Sequence, residues 1–216
     1  MTRIEPLPAA AQHQNPLVKR NHASEKETSA FQAVLEERSK AAHLSDRQFL
    51  STLTAQQLSD LFAYHGLAHP VQVHELSGEG AANLLLAPEF QRDWDGDGLV
   101  EVGAAKLFVF PSPDAPQAVF DAWAELTEQE RFMIQTKAFS KWLLQNWEAI
   151  AAGDEDSFTG IYHGPNTDYE KLIDELLEAL QRQRKYLTVE EYRELWDTLY
   201  KFKEALRRHL ELLPIK

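Results

Sequence analysis

Four times along this chain a threonine stands three residues ahead of a glutamine or glutamate and opens an apolar repeat of helical spacing: Thr54 with Gln57, Thr127 with Glu130, Thr167 with Glu170, and Thr188 with Glu191. In such a pair each side chain takes up a backbone N–H that the first helical turn leaves without a partner, so the pair fixes where a helix begins. After Thr54 the apolar face is Leu58, Leu61 and Phe62 with Tyr64, and Gly66 ends the helix. After Thr127 a long helix is predicted to about Ala151, with Phe132, Phe139, Trp142, Leu143 and Trp147 among its apolar residues, read as core. The pattern predicts a mainly α protein with a minor β component.

The third and fourth pairs open two amphipathic helices, one carrying Tyr169, Leu172, Ile173, Leu176, Leu177 and Leu180, the other Val189, Tyr192, Trp196, Leu199, Leu206 and Leu210. With a short join near 185–187 they predict a C-terminal αα-hairpin over residues 167–213. A two-helix hairpin buries little alone, so it must pack on the rest of the chain, on a second copy or on a partner. Arg182, Arg184 and Lys185 are read as a charged hairpin tip.

Residues 1–28 hold Pro6, Pro8 and Pro16 without periodicity and are expected to be a disordered tail. A helical core is expected over 29–157. It begins with a helix from Ser29 that buries Phe31, Val34 and Leu35. The alternation from Val71 to Leu76 predicts a short strand, and Ser77-Gly78-Glu79-Gly80 reads as a break before a helix at Ala81 to Leu86. Leu107 to Phe110 can pair as a strand with 71–76 or with Leu99 to Val102. After the proline-rich run 111–116, Asp114 is expected to cap a helix with Pro116 in its first turn. Residues 158–166 are expected to form a linker.

Within the core lies Asp93-Trp94-Asp95-Gly96-Asp97-Gly98-Leu99-Val100-Glu101. Alternate positions in a tight loop can aim their carboxylates at one point. At ~5 Å each like-charged pair costs about 1 kcal/mol in bulk water and roughly 3 kcal/mol at an effective dielectric near 20. Arg92, the one cation close by in sequence, cannot offset four negative charges, whereas a bound divalent cation would. A cage of hard oxygens suits Ca²⁺.

The stretch resembles the DxDxDG calcium loop of EF-hands and related calcium-binding repeats. Asp93, Asp95 and Asp97 match the first, third and fifth loop positions, and Gly98 matches the glycine of the sharp turn. The resemblance implies a metal site formed by the side chains of Asp93, Asp95 and Asp97, the carbonyl of Leu99, and Glu101 directly or through water. It spans residues 93–104 and departs from the pattern at its last position, where Ala104 stands in place of a bidentate glutamate. Glu89, Asp114 or Asp121 could supply the missing ligand from outside the loop. Without it, binding weaker than that of a complete EF-hand is expected.

The formal net charge of −12 removes the general electrostatic attraction to nucleic acid. The absence of cysteine excludes disulfides, thiolate metal sites and a cysteine nucleophile. His65, His69 and His74 are close in sequence but match no standard zinc spacing and are read as helix end and loop. Asp154, Glu155 and Asp156 are read as a solvated acidic loop. No stretch is long and apolar enough for a membrane span, and the N-terminus has no apolar signal region. Dinucleotide-binding, P-loop, nucleophile-elbow and zinc-protease motifs are all absent from the sequence. The expectation is a cytoplasmic, non-enzymatic calcium-binding structural or interaction protein, without excluding signal-independent export. Its partner is expected to be another protein, met through the C-terminal hairpin or the N-terminal tail. The alternative is a helical adaptor or chaperone-like protein in which the acidic loop is only structural.

Overall fold

The computed structural model describes residues 23–68, 72–162 and 167–211. The chain is 66% helical, with nine helices and one two-stranded antiparallel sheet among the described residues. The elements run α1 (Glu25–Lys40), α2 (Asp46–Leu50), α3 (Ala55–His65), α4 (Gly78–Leu84), β1 (Leu99–Val102), β2 (Ala105–Phe108), α5 (Gln117–Ala124), α6 (Glu128–Gln145), α7 (Trp147–Ala152), α8 (Tyr169–Gln183) and α9 (Val189–Glu211).

Reciprocal capping at Thr54–Gln57 and Thr127–Glu130 starts α3 and α6, and the Thr188–Glu191 pair closes at the start of α9. The same device operates at Ser24–Glu27 for α1 and Ser45–Gln48 for α2. Helix α1 therefore begins at Glu25, four residues ahead of the start predicted from its apolar repeat. Of the expected tail, residues 1–22 lie outside the described residues.

Several local expectations are corrected. The stretch predicted as a strand holds a 3-10 turn at Val73–Glu75, and Val71 lies outside the described residues. The break predicted at Ser77–Gly80 is the first turn of α4, capped by the Ser77 hydroxyl, which accepts from the Gly80 N–H at 2.8 Å. Gly78 and Gly80 look like breakers in isolation, but a first turn with a good cap tolerates them. The long helix expected to Ala151 stops at Gln145. Asn146, whose side chain binds Thr159, separates it from α7. Pro116, not Asp114, occupies the cap of α5; the Asp114 carboxylate instead accepts from the Ser112 hydroxyl. Asp168, not Thr167, caps α8 by accepting from the Lys171 N–H.

Two apolar clusters hold the molecule together. Phe31, Val34, Leu50, Leu61 and Leu84 are at the centre of an N-terminal core formed by α1 to α4. Phe110, Trp123, Ile134, Ile173 and Phe202 are at the centre of a C-terminal core formed by α5 to α9. The hairpin α8–α9 is not left standing alone, because α9 packs on α5 and α6 as well as on α8. The β-ribbon lies between the cores. Its register pairs Leu99 with Phe108 and Val102 with Ala105. Side chains alternate across a strand, so Val100 and Val102 enter the N-terminal core while Leu99 enters the C-terminal one. Ile161 and Tyr162, within the segment expected to be a linker, are also buried in the C-terminal core; residues 163–166 lie outside the described residues.

Candidate metal centre

The acidic loop joins α4 to the ribbon, and α4 comes very close to it. The Gly80 carbonyl makes this contact: it accepts from the Gly103 N–H in the ribbon turn at 3.0 Å. A Cβ on Gly80 would sit 2.1 Å from the Gly103 oxygen, so only glycine fits. That approach carries the neighbouring Glu79 into the loop. Glu79 Oε2 accepts from the Trp94 N–H at 2.7 Å and Oε1 from the Glu101 N–H at 2.8 Å.

Asn83, fully buried one turn further along α4, fastens both ends of the loop. Its Nδ2 donates to the carbonyls of Arg92 and Glu101, each at 2.7 Å. Its Oδ1 accepts from the Arg92 N–H at 3.0 Å and the Trp94 indole at 3.1 Å. An amide has two donors and two acceptor lone pairs, and all four are used.

Inside the loop each aspartate folds back on the backbone. Asp93 accepts from the N–H groups of Gly96 at 2.7 Å and Gly98 at 2.9 Å. Asp95 accepts from the Asp97 N–H at 3.1 Å, and Asp97 from the Leu99 N–H at 2.7 Å. The C-terminal core grips the outer side. The Gly160 N–H donates to the Gly96 carbonyl at 2.8 Å, the Trp142 indole to the Asp97 carbonyl at 2.7 Å, and Tyr162 Oη lies 3.2 Å from the Gly98 carbonyl. Gly98 has φ +93°, and a Cβ there would meet Trp142 Nε1 at 2.6 Å. Backbone angle and close approach both require glycine at this position.

Carboxylate oxygens of Glu79, Asp93 and Asp95 come within 4.8 Å of one another. Two oxygens bound to one Ca²⁺ at 2.3–2.6 Å lie at most about 5 Å apart, so this spacing suits a shared cation. Each oxygen that accepts one N–H still has a second lone pair to offer. Burial pushes the Glu79 carboxyl up to about 7, with the charges of Asp95 and Asp93 adding to the effect. Burial likewise raises Asp93 to about 6, helped by Asp97 and Asp95, and Asp97 to about 6, helped by Asp95 and Glu101.

The residues singled out from sequence thus divide. Asp93 and Asp95 come together, and Glu79, not anticipated, joins them. Asp97 borders the cluster and is turned onto Leu99, while Leu99 lies at the start of β1. The carboxylate of Glu101 is held by the Ser77 hydroxyl and by Lys106 Nζ at 2.6 Å. Lys106 also reaches Glu155 at 2.7 Å, and the two carboxylates hold its pKa above the ordinary lysine value despite partial burial. Of the outside donors considered, Asp114 is bound to Ser112 and Asp121 accepts from Gln117 at 2.5 Å; the Glu89 side chain lies outside what the structure describes. An open cavity of about 580 Å³ adjoins the loop, lined by Ser77, Asp95, Asp97, Glu101, Lys106 and Phe158.

No protein-family model, curated protein or solved structure matches this chain. The signal that could have found Glu79 is the pair of glycines beside it, since an acid between two residues without side chains can be brought hard against another backbone. His65, the last residue of α3, is half-buried: Nε2–H donates to the Leu84 carbonyl at 2.9 Å, leaving Nδ1 to accept from Gln91 at 3.1 Å. Burial lowers its pKa to about 4. His74 is exposed and lies beside Glu75, and His69 lies outside the described residues. Among the described residues no helix is long and apolar enough to cross a membrane.

Proposed function

We propose that this chain is a non-enzymatic calcium-binding structural or protein-interaction protein with one EF-hand-like loop of non-standard composition. The supporting observation is the convergence of Glu79 with Asp93 and Asp95. In this reading Glu79, from a helix preceding the loop, takes the part that the residue at Ala104 cannot. Asp93 and Asp95 bind alongside it, Asp97 and Glu101 contribute directly or through water, and the Leu99 carbonyl completes the set. The cation would supply positive charge against the buried acids and tie α4 to the loop. Trp142, Gly160 and Tyr162 of the C-terminal core also hold the loop, so the role proposed is bracing of the junction between the two cores.

Calorimetric titration of the full chain with Ca²⁺ tests this. A saturable heat lost in Glu79→Gln and in Asp95→Asn supports the reading; a flat trace for the wild type after treatment with chelator rejects it.

A second reading, a helical adaptor in which the loop is only structural, draws on the outer surface of the C-terminal helices. Tyr186, Val189 and Tyr200 there are exposed, as are Phe132 and Trp147 on α6 and α7. Loss of Ca²⁺ binding without loss of partner binding would favour it.

A further inference from the structure

Helix α6 buries Ile134, Ala138 and Trp142 in the C-terminal core. Its opposite face carries Gln129, Phe132, Thr136, Phe139, Ser140 and Leu144 at helical spacing. None of these positions is charged, although 26% of the chain is. Phe132 is 69% exposed, Phe139 40% and Leu144 70%, and Trp147, the first residue of α7, is 60% exposed. Three aromatic rings read as core from their spacing thus lie at the surface. The hydroxyls between them are turned onto their own helix: Thr136 donates to the Phe132 carbonyl and Ser140 to the Thr136 carbonyl, each at 2.8 Å. A surface helix ordinarily turns its charged side outward. Here the outward side is apolar over about 18 Å.

Along one edge of this face lie α8 and α9, and the sign of the charge changes along that edge. Beside the N-terminal half of α6, the groove against α9 is lined by Glu130, Glu194 and Asp197 with Lys201. Beside the C-terminal half, the groove against α8 is lined by Lys137, Lys141 and Arg182 with Glu175 and Glu178. Three acids against one cation leave the first lining negative, and three cations against two acids leave the second positive.

We propose that this face is the contact surface for a second copy of the chain, with the two α6 helices antiparallel across a two-fold axis at Thr136. The inference goes beyond the calcium reading and does not depend on it. A two-fold contact sets a patch against itself. With the axis at Thr136, Phe132 of one copy meets Phe139 and Ser140 of the other, the small threonines cross at the centre, and Leu144 and Trp147 reach the start of the other copy's α6. The same axis lays each edge against the same edge run in reverse. The negative groove beside Glu130 of one copy therefore faces the positive groove beside Lys141 of the other.

Charge and area together select this occupant. Two chains of formal charge −12 repel over most of their surface. The uncharged face is where they can meet, and the reversed signs along its edge attract. A lipid surface presents a single sign and matches only one of the two grooves. The exposed parts of Phe132, Phe139, Leu144 and Trp147 come to roughly 500 Å² per copy, taking about 150–250 Å² for a whole aromatic side chain. Two copies thus bury about 1,000 Å², the lower bound for a specific interface, and the dimer is a weak and reversible one.

Sedimentation equilibrium of the full chain in chelator, from about 1 to about 500 μM, reads the association. The expected result is a monomer–dimer equilibrium within that range. Phe132→Ser/Leu144→Ser should weaken it by about tenfold or more. Two charge-swapped chains test the arrangement. Lys137→Glu/Arg182→Glu makes both grooves negative, and Glu194→Lys/Asp197→Lys makes both positive. Each alone should dimerise on the order of tenfold more weakly, and an equimolar mixture should regain the wild-type affinity, because each chain presents the sign that the other lacks. Circular dichroism checks that the fold is kept. A monomer at every concentration overturns the inference, as does a dimer indifferent to Phe132→Ser/Leu144→Ser. A mixture that fails to regain the dimer overturns the antiparallel arrangement and the proposal with it. Binding of a monomer to phosphatidylcholine vesicles, lost in Phe132→Ser/Leu144→Ser, assigns the face to lipid and overturns it too. Each of these failures leaves the calcium reading standing, since calorimetry of the wild type decides that separately.

Discussion

The indole of Trp142 on α6 donates to the carbonyl of Asp97 at 2.7 Å, joining the C-terminal core to the middle of the acidic loop. Both groups are buried. Replacing the indole by Trp142→Phe leaves that carbonyl without its donor, which costs about 1–3 kcal/mol. Urea unfolding should show the loss. Calcium affinity measured on the same variant should fall too, because the loop carbonyl is no longer held.

Gly80 and Gly78 make a matched pair of opposite sign. A Cβ on Gly80 collides with the Gly103 backbone, whereas one on Gly78 meets nothing within 4 Å. Gly80→Ala should destabilise by about 1–3 kcal/mol through overpacking and weaken cation binding by moving Glu79. Gly78→Ala should be neutral or stabilise by up to about 1 kcal/mol, since alanine suits a helix better. Thermal melts of the two variants check the contrast.

Asn83 uses every hydrogen-bonding position of its amide. Asn83→Ala removes all four bonds at once and leaves buried backbone groups of Arg92 and Glu101 unpaired. The expected cost is roughly 2–4 kcal/mol. Hydrogen exchange should show the loop between Arg92 and Glu101 losing protection before the helices do.

In the cation-free protein, pH acts through two opposed sets of groups. Glu79, Asp93 and Asp97 have folded pKa values raised to about 7, 6 and 6. The folded state therefore holds protons that the unfolded chain releases. Their contribution to stability is full below the ordinary carboxylate range and is lost as pH rises through about 6–7. His65 is depressed to about 4, so its contribution is full above the ordinary histidine value and is lost as pH falls towards about 4. Three carboxylates outweigh one imidazole. In chelator, stability should decline between about pH 5 and pH 7, and Glu79→Gln should flatten the decline; denaturant midpoints across that range provide the measurement.

Calcium bound as proposed would reverse the sign of the carboxylate contribution. A cation bound by Glu79, Asp93 and Asp95 must displace the protons that Glu79 and Asp93 carry near pH 6.5. Binding heats measured there in buffers of different ionisation enthalpy should therefore diverge, and they should converge at pH 8. Identical heats at both pH values would mean that these carboxylates are not the ligands.

The helical framework was legible at Thr54, Thr127 and Thr188, where the hydroxyl and a carboxylate or amide three residues later close on the backbone; the same device at Ser24 and Ser45 went unread. It misled at Thr167, because Asp168 stands next to it and takes the Lys171 N–H. The acidic cluster of Glu79, Asp93 and Asp95 was half legible. Asp93 and Asp95 are adjacent in a pattern that carries its own meaning, but Glu79 and Asn83 reach the loop only because α4 presses on the ribbon turn. That contact is made by tertiary packing, and a glycine-flanked glutamate looks locally like a chain break. The strand expected at 71–76 failed for a related reason: alternating valines mark an extended segment only when another strand pairs with it, and among the described residues β1 and β2 pair only with each other.

The alternation of Leu99 with Val100 and Val102 makes the ribbon a party wall. A slip of one residue in its pairing would hand each half of the protein the other's side chains and strip both of a packed face. Neither half can melt without baring one surface of a strand that the other still needs, so the two ought to unfold in a single cooperative step despite their separate interiors.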